Sequence, residues 1–228
     1  MHNSLNMARR VVLLSFLLFG CVGGVAQGAG TIFPTTKGSS WSCQYSHGGP
    51  AFTQTITAST PTHFTEKQTG SVAAVMHFKR SPQGWVSADL GNVQIRKMQG
   101  RKIKIKIVRT SGVVIPKTSL WKPGYQWKYA MTDKSTASSG PFVVLVHTTV
   151  ASHLTITGFR HVTVPAGKFK CCRVKVTEDI TSVVAVAGQV QTRHMRIKMT
   201  EYYARGVGLV ERSSNHMVAQ LTHYKIAR

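Results

Sequence analysis

Negative charge is what this sequence has least of. Glu66, Asp89, Asp133, Glu178, Asp179, Glu201 and Glu211 are its seven acids, against 29 lysines and arginines in 228 residues, for a net charge of +22. Most basic side chains therefore have no acid to pair with. Self-repulsion of that size costs stability and builds a field that draws anionic surfaces. The shortage also argues against one kind of chemistry. Hydrolysis by paired carboxylates needs two acids at a controlled separation. Glu178 and Asp179 are sequence neighbours, expected at a hairpin turn or, if on a strand, pointing apart.

Other absences narrow the reading further. The longest apolar run, Val11 to Phe19, is far short of the about 20 residues a membrane-spanning helix needs. No HExxH or comparable compact ligand set occurs among the histidines, and no glycine-rich phosphate loop follows a strand. A cysteine nucleophile with a histidine base has no local signature here. The sequence thus reads as that of a non-enzyme with no cofactor and no metal. Cysteines number four. An oxidising compartment would make a bridge from Cys43 to Cys171 or Cys172 reasonable, closing a loop of about 130 residues worth on the order of 4–5 kcal/mol. A vicinal Cys171–Cys172 bridge would be strained.

What is present begins with an export signal. Arg9 and Arg10 precede the apolar run, and small residues follow it, the order of a secretory leader. Two processing routes fit. Leu18-Phe19-Gly20-Cys21 resembles a bacterial lipobox, which would lipidate Cys21; cleavage after Ala26 would release a soluble product. The division expected is a signal over 1–26, an irregular N-terminal segment over 27–50 and a single β-rich domain over 51–228. Export removes the protein from the genome, so no nucleic acid is expected as a partner. The anions within reach are envelope lipids, lipopolysaccharide, acidic wall polymers and acidic proteins.

From Phe52 onward, short runs of Val, Ile, Thr and aromatics alternate with turn residues. The clearest is Arg101 to Arg109, where Ile103, Ile105 and Ile107 share one face and Lys102, Lys104 and Lys106 the other. Met195, Ile197 and Met199 oppose His194, Arg196 and Lys198 in the same way. Period two of this kind means a strand with one buried and one wet face. The same rule puts Cys172 inside with Val174 and Val176, and Cys171 outside. One-sided strands favour antiparallel pairing, and so many of them must curl, close or split. The fold expected is all-β: a strongly curved, mostly antiparallel sheet, open barrel-like or sandwich. An outer-membrane barrel would need a lipid-facing apolar band, which rows of lysines do not supply.

The strand over 92–98 would pair with that over 101–109. Arg96, Lys97, Arg101, Lys102, Lys104, Lys106 and Arg109 would then form a cationic patch, extended by Arg196 and Lys198 if their strand lies beside it. Like charges directly across a ladder are destabilising, so such a patch either bears that cost or meets an anion.

Three segments carry a family resemblance. WKPGYQWKY (121–129), HVTVPAGKFKC (161–171) and EYYARGVGLV (201–210) resemble the PG-x-x-W-x-Y, VPAG and YYA-x-GVGLV stretches of exported bacterial periplasmic proteins and lipoproteins of unknown function. That family is loosely similar to the fold of lipoprotein carriers. The resemblance covers roughly residues 115–226 and implies an exported, curved antiparallel sheet; it transfers no catalytic residue. Pro165 and Gly167 would set a tight turn, and Gly206 and Gly208 would permit a bulge or bend. Trp121, Trp127, Tyr202 and Tyr203 read as core aromatics. Function is expected to be non-catalytic binding of an anionic or amphiphilic envelope component, or service as a structural subunit of an envelope complex.

Overall fold

A computed structural model describes residues 32–46, 51–70, 73–91, 93–98, 101–139, 142–214 and 217–227. The leader, Cys21 and both proposed cleavage sites lie outside these. Fourteen strands form one antiparallel sheet: β1 (Ser40–Tyr45), β2 (Ala51–Ser59), β3 (His63–Gly70), β4 (Ala74–Ser81), β5 (Gly84–Ser87), β6 (Val93–Met98), β7 (Arg101–Gly112), β8 (Ile115–Pro116), β9 (Gln126–Ser139), β10 (Phe142–Val164), β11 (Gly167–Val186), β12 (Gln189–Ala204), β13 (Gly208–Ser214) and β14 (Val218–Lys225). The ladder runs β6-β7-β9-β10-β11-β12-β13-β14-β1-β2-β3-β4-β5-β8. It is the curved, open form of the expected all-β fold, one sheet and not two stacked layers.

Period two holds where it was clearest. Ile103, Ile105 and Ile107 are 5%, 4% and 2% exposed, while Lys104 and Lys106 stand in solvent. Three expectations need correcting. Residues 40–45, assigned to an irregular segment, form β1, hydrogen-bonded on both sides to β14 and β2. The hairpin turn expected at Glu178 and Asp179 does not exist, because β11 runs straight through it beside an equally unbroken β10. There Ser152 and Glu178 are direct cross-strand partners on the inner face, and the Ser152 hydroxyl donates to Glu178 Oε1 at 3.3 Å. The interruption in hydrophobicity is a buried polar pair, not a turn.

The third correction concerns cysteine. Cys43, Cys171 and Cys172 are buried and not disulfide-bonded, so neither proposed bridge forms. Cys43 sits on β1 and the pair on β11, with β12, β13 and β14 between them in the ladder. Cys171 is not outside either; it is 0% exposed. Its cross-strand partner on β10 is Arg160, whose guanidinium lies 5.2 Å from the Tyr202 ring centroid on the same outer side. Burial pushes the Cys171 thiol up to about 12, and Cys172 to about 11.

The two ends of the ladder meet through one short crossing. Gly112 pairs with Tyr129 of β9, Val113 N–H donates to Lys128 O, and Val114 N–H donates to Trp85 O of β5. Three residues thus carry the chain from one edge of the sheet to the other. Gly112 has φ +81°, and a Cβ there would lie 2.2 Å from the Lys128 carbonyl oxygen. Only glycine fits.

Beneath the crossing sits the main core. Trp121 packs against Phe33, Trp127 and Tyr203 with ring centroids 5.7, 5.8 and 5.2 Å away, and its indole N–H donates to Pro116 O at 3.0 Å. Such aromatic pairs add to their area burial. Trp41 fastens β1 to the β12–β13 turn through Val207 O at 2.5 Å.

Candidate functional site

The sequence's few acids are mostly inside. Glu66, Asp89, Asp133, Glu178 and Glu201 are each 5% exposed or less. Glu201 is ion-paired with Arg212 and accepts a hydrogen bond from Tyr203 Oη at 2.5 Å. Glu66 accepts from Gln54 Nε2 at 2.5 Å, and Asp89 from His77. Glu178 shares a cavity of about 50 Å³ with Glu201, Arg212 and the indole of Trp127, enough room for a water molecule. Burial pushes the Glu178 carboxyl up to about 7, Glu201 adding to the rise while Arg212 and Ser152 oppose it. Of the two remaining acids, Asp179 is held by Arg196 at 2.6 Å and Glu211 accepts from Gln220 at 2.8 Å.

Sequence reasoning missed this interior, although the signal was there. Extending the alternation of Val174 and Val176 by one step places Glu178 inside, and extending that of Ile197 and Met199 places Glu201 inside. With acids buried or paired, the basic residues outside dominate the field. Some of them stand at the two opposite ends of the strands.

At one end lie the turns of the β6–β7, β9–β10 and β11–β12 hairpins, since Met98 pairs with Arg101, Phe142 with Ser139 and Val186 with Gln189. Registers align outward-facing residues in transverse rows. One row reads Lys104, Thr136, Leu145, Ala185, Val190, and the next Lys106, Lys134, His147, Val183, Thr192. Lys106 and Lys134 are direct cross-strand neighbours, both exposed. Val143, Leu145 and Val190 are 51%, 52% and 65% exposed.

The expected cationic patch is only partly assembled. β6 and β7 do pair, with Lys97 opposite Lys102, but Arg96 is opposite Ile103 and Arg101 opposite Met98; the side chains of these four basic residues lie outside the described ones. Arg109, exposed, falls beyond a register shift and pairs with Thr132. Arg196 and Lys198 do not adjoin β7, since β9, β10 and β11 intervene, and Arg196 is neutralised by Asp179. Lys134, directly across the ladder from Lys106, is what the patch gains instead.

Of the turn residues, Pro165 stands in the two-residue β10–β11 turn with Gly167 beginning β11. Gly206 lies in the β12–β13 turn, and Gly208 opens β13 opposite Ala204. The bulge is there too: Tyr202 pairs with Glu211 and Tyr203 with Leu209, leaving Val210 extra.

At the other end the β4–β5 turn, the end of β2 and the residues after β8 surround a cavity of about 750 Å³. Ile32, Phe33 and Ile115 form apolar walls at 8%, 3% and 2% exposure. Arg80, Lys37 and Lys117 stand at its rim, exposed, and no acid lines it among the described residues. Arg80 lies 5.9 Å from the Trp85 ring centroid, which fixes one cation against an aromatic wall.

Residues 124–222 match the model of a family described as DUF3108-like. The matched span runs from the start of β9 into β14 and holds the VPAG and YYA-x-GVGLV segments, so the family resemblance read from the sequence falls on the long-strand half of the sheet. No curated protein matches the chain.

Among solved structures, one from Parabacteroides distasonis, provisionally described as a lipoprotein, is 15% identical with a TM-score of 0.40, covering 87% of this chain and 100% of its own. A chain from Bacteroides fragilis, provisionally described as an exported protein with a YmcC-like fold, is 14% identical with a TM-score of 0.39 over 86% and 99% of the two chains. The hypothetical lipoprotein YmcC from Escherichia coli is 10% identical with a TM-score of 0.37 over 89% and 92%.

Proposed function

We propose that this is a non-catalytic protein of the bacterial envelope that binds an anionic amphiphile in the cavity beside the β4–β5 turn. The observation that carries the reading is the cavity's composition. Its deep walls are apolar and its rim holds Arg80, Lys37 and Lys117 with no acid among the described residues. A ligand with an apolar body and an anionic head matches that order of depth. Its volume lies within the range of small-molecule sites. The leader-like N-terminus and the family resemblance support an envelope location.

Calorimetric titration with lysophosphatidylglycerol, kept below its micelle concentration, tests this. Lysophosphatidylcholine and glycerol phosphate serve as comparison ligands. The anionic lipid should bind at least tenfold tighter than either, and Arg80→Gln with Lys117→Gln should remove that preference. Equal binding of the two lipids, or of glycerol phosphate alone, would contradict it.

A further inference from the structure

We infer that the hairpin-turn end of the sheet is a second, independent site, and that its partner is the surface of an anionic lipid bilayer. Two kinds of residue meet there on one outer face. Lys104, Lys106 and Lys134 occupy β7 and β9, none with a carboxylate partner among the described residues, and Lys106 and Lys134 face one another directly across the ladder. On the same transverse rows, β10 and β12 expose Leu145 and Val190, joined by Ala185 between them, with Val143 one step further out. No acid falls in either row. The nearest on this face, Asp179, lies six residues down β11 from Ala185 and is already paired with Arg196.

A lysine pair set opposite one another and left uncompensated costs folding stability. Exposed aliphatic side chains at strand ends are equally unhelpful to an isolated domain. One environment relieves both at once. Anionic head groups neutralise the lysines, and the acyl boundary just beneath accepts valine and leucine. A soluble acidic polymer would answer the lysines and leave the aliphatic side chains in water. An apolar protein surface would bury those side chains and leave the lysines unanswered. The side-by-side placement of basic and aliphatic halves is what favours lipid over either.

The placement also sets geometry. Strands β9–β12 would stand with their hairpin turns toward the bilayer, and the opposite end, with its cavity, would face away. The two sites would then be separated by the length of the strands.

Co-sedimentation with vesicles tests the inference, using protein purified in the form in which cells accumulate it. Vesicles of phosphatidylglycerol and phosphatidylcholine at one to three should bind it, and pure phosphatidylcholine vesicles should bind at least tenfold less. Lys104→Gln, Lys106→Gln and Lys134→Gln together should weaken binding to the anionic vesicles by about a hundredfold, each lysine contributing roughly fivefold. Leu145→Ser with Val190→Ser should weaken it by about tenfold while leaving retention on immobilised heparin unchanged. These five positions are exposed, and an unchanged melting temperature in each variant confirms that folding is not the cause.

Equal binding to both vesicle types would overturn the inference. So would full vesicle binding by the Leu145 and Val190 variant, which would make the face a site for a soluble polyanion instead. Because Arg80→Gln with Lys117→Gln alters only the cavity and the five substitutions here alter only the hairpin-turn face, failure of one site is distinguishable from failure of the other.

Discussion

Both ends of this sheet present exposed basic side chains, and they differ in where the apolar residues lie. At the cavity end Ile32, Phe33 and Ile115 are enclosed, with Arg80, Lys37 and Lys117 at the rim. At the hairpin-turn end Val143, Leu145 and Val190 are in the open beside Lys104, Lys106 and Lys134. Enclosure suits a single molecule; exposure suits an extended surface. Charge alone says only that an anion is wanted, and the position of the greasy side chains says what shape it has.

The sharpest way to break the comparison is at the crossing that joins the sheet's edges. Gly112→Ala would drive a methyl group into the Lys128 carbonyl at a positive φ, costing about 3–5 kcal/mol. Chemical denaturation should show that loss, and lysolipid binding should fall before vesicle binding does.

Packing offers a second contrast. Trp121→Ala, under the cavity end, should cost about 3–5 kcal/mol, since it empties an aromatic cluster and strips Pro116 O of its donor. Val146→Ala lies near the hairpin-turn end, where the buried side chains around it, Val144, Val184 and Ser135, are small, and should cost about 1.5 kcal/mol.

Between the two ends, Glu178 should give the protein a pH dependence. Its carboxyl titrates near 7 in the folded protein against 4.5 unfolded. From about pH 4.5 to 7 the folded state therefore holds a proton the unfolded state has released. That contribution is full below 4.5 and is lost as pH rises through 7, to the order of 3 kcal/mol. Melting curves of Glu178→Gln should lose this slope and lie above those of the parent at pH 8. An unchanged slope would place the titrating group elsewhere.

Smaller effects separate paired from unpaired groups. Arg196→Gln should leave vesicle binding unaltered, because Asp179 already neutralises that guanidinium, whereas Lys106→Gln should weaken it measurably. Cys43, Cys171 and Cys172 should resist thiol reagents in the native state and react once unfolded. For Cys171, whose thiol burial raises to about 12, native labelling should run at least about a hundredfold slower than that of a free cysteine.

The architecture was legible because period two has so few interpretations. Isoleucines at 103, 105 and 107 against lysines at 104 and 106 define a strand, its faces and its environment together. The same rule would have found the buried acids. Glu178 nevertheless reads as a turn residue in sequence, since a charge on an inner face is costly unless bonded, and its partner Ser152 belongs to another strand. Cys171 broke the rule for a different reason: Arg160 and Tyr202 cover the outer face there, and sequence spacing does not reveal cover supplied by other strands. The cavity was illegible altogether. Its walls come from the N-terminal segment, the β4–β5 turn and the residues around β8, joined by long-range bonds such as Gly38 N–H to Ile56 O and Lys117 N–H to Gln83 O that no local pattern announces.

Lysine acetylation footprinting reads both ends in one experiment. Lysophosphatidylglycerol below its micelle concentration should shield Lys37 and Lys117 and leave Lys104, Lys106 and Lys134 reactive. Vesicles containing phosphatidylglycerol should shield the latter three and leave Lys67 and Lys79, exposed on β3 and β4, reactive. Uniform shielding of all these lysines by either lipid would mean that net charge alone governs binding, and that the two ends are not distinct.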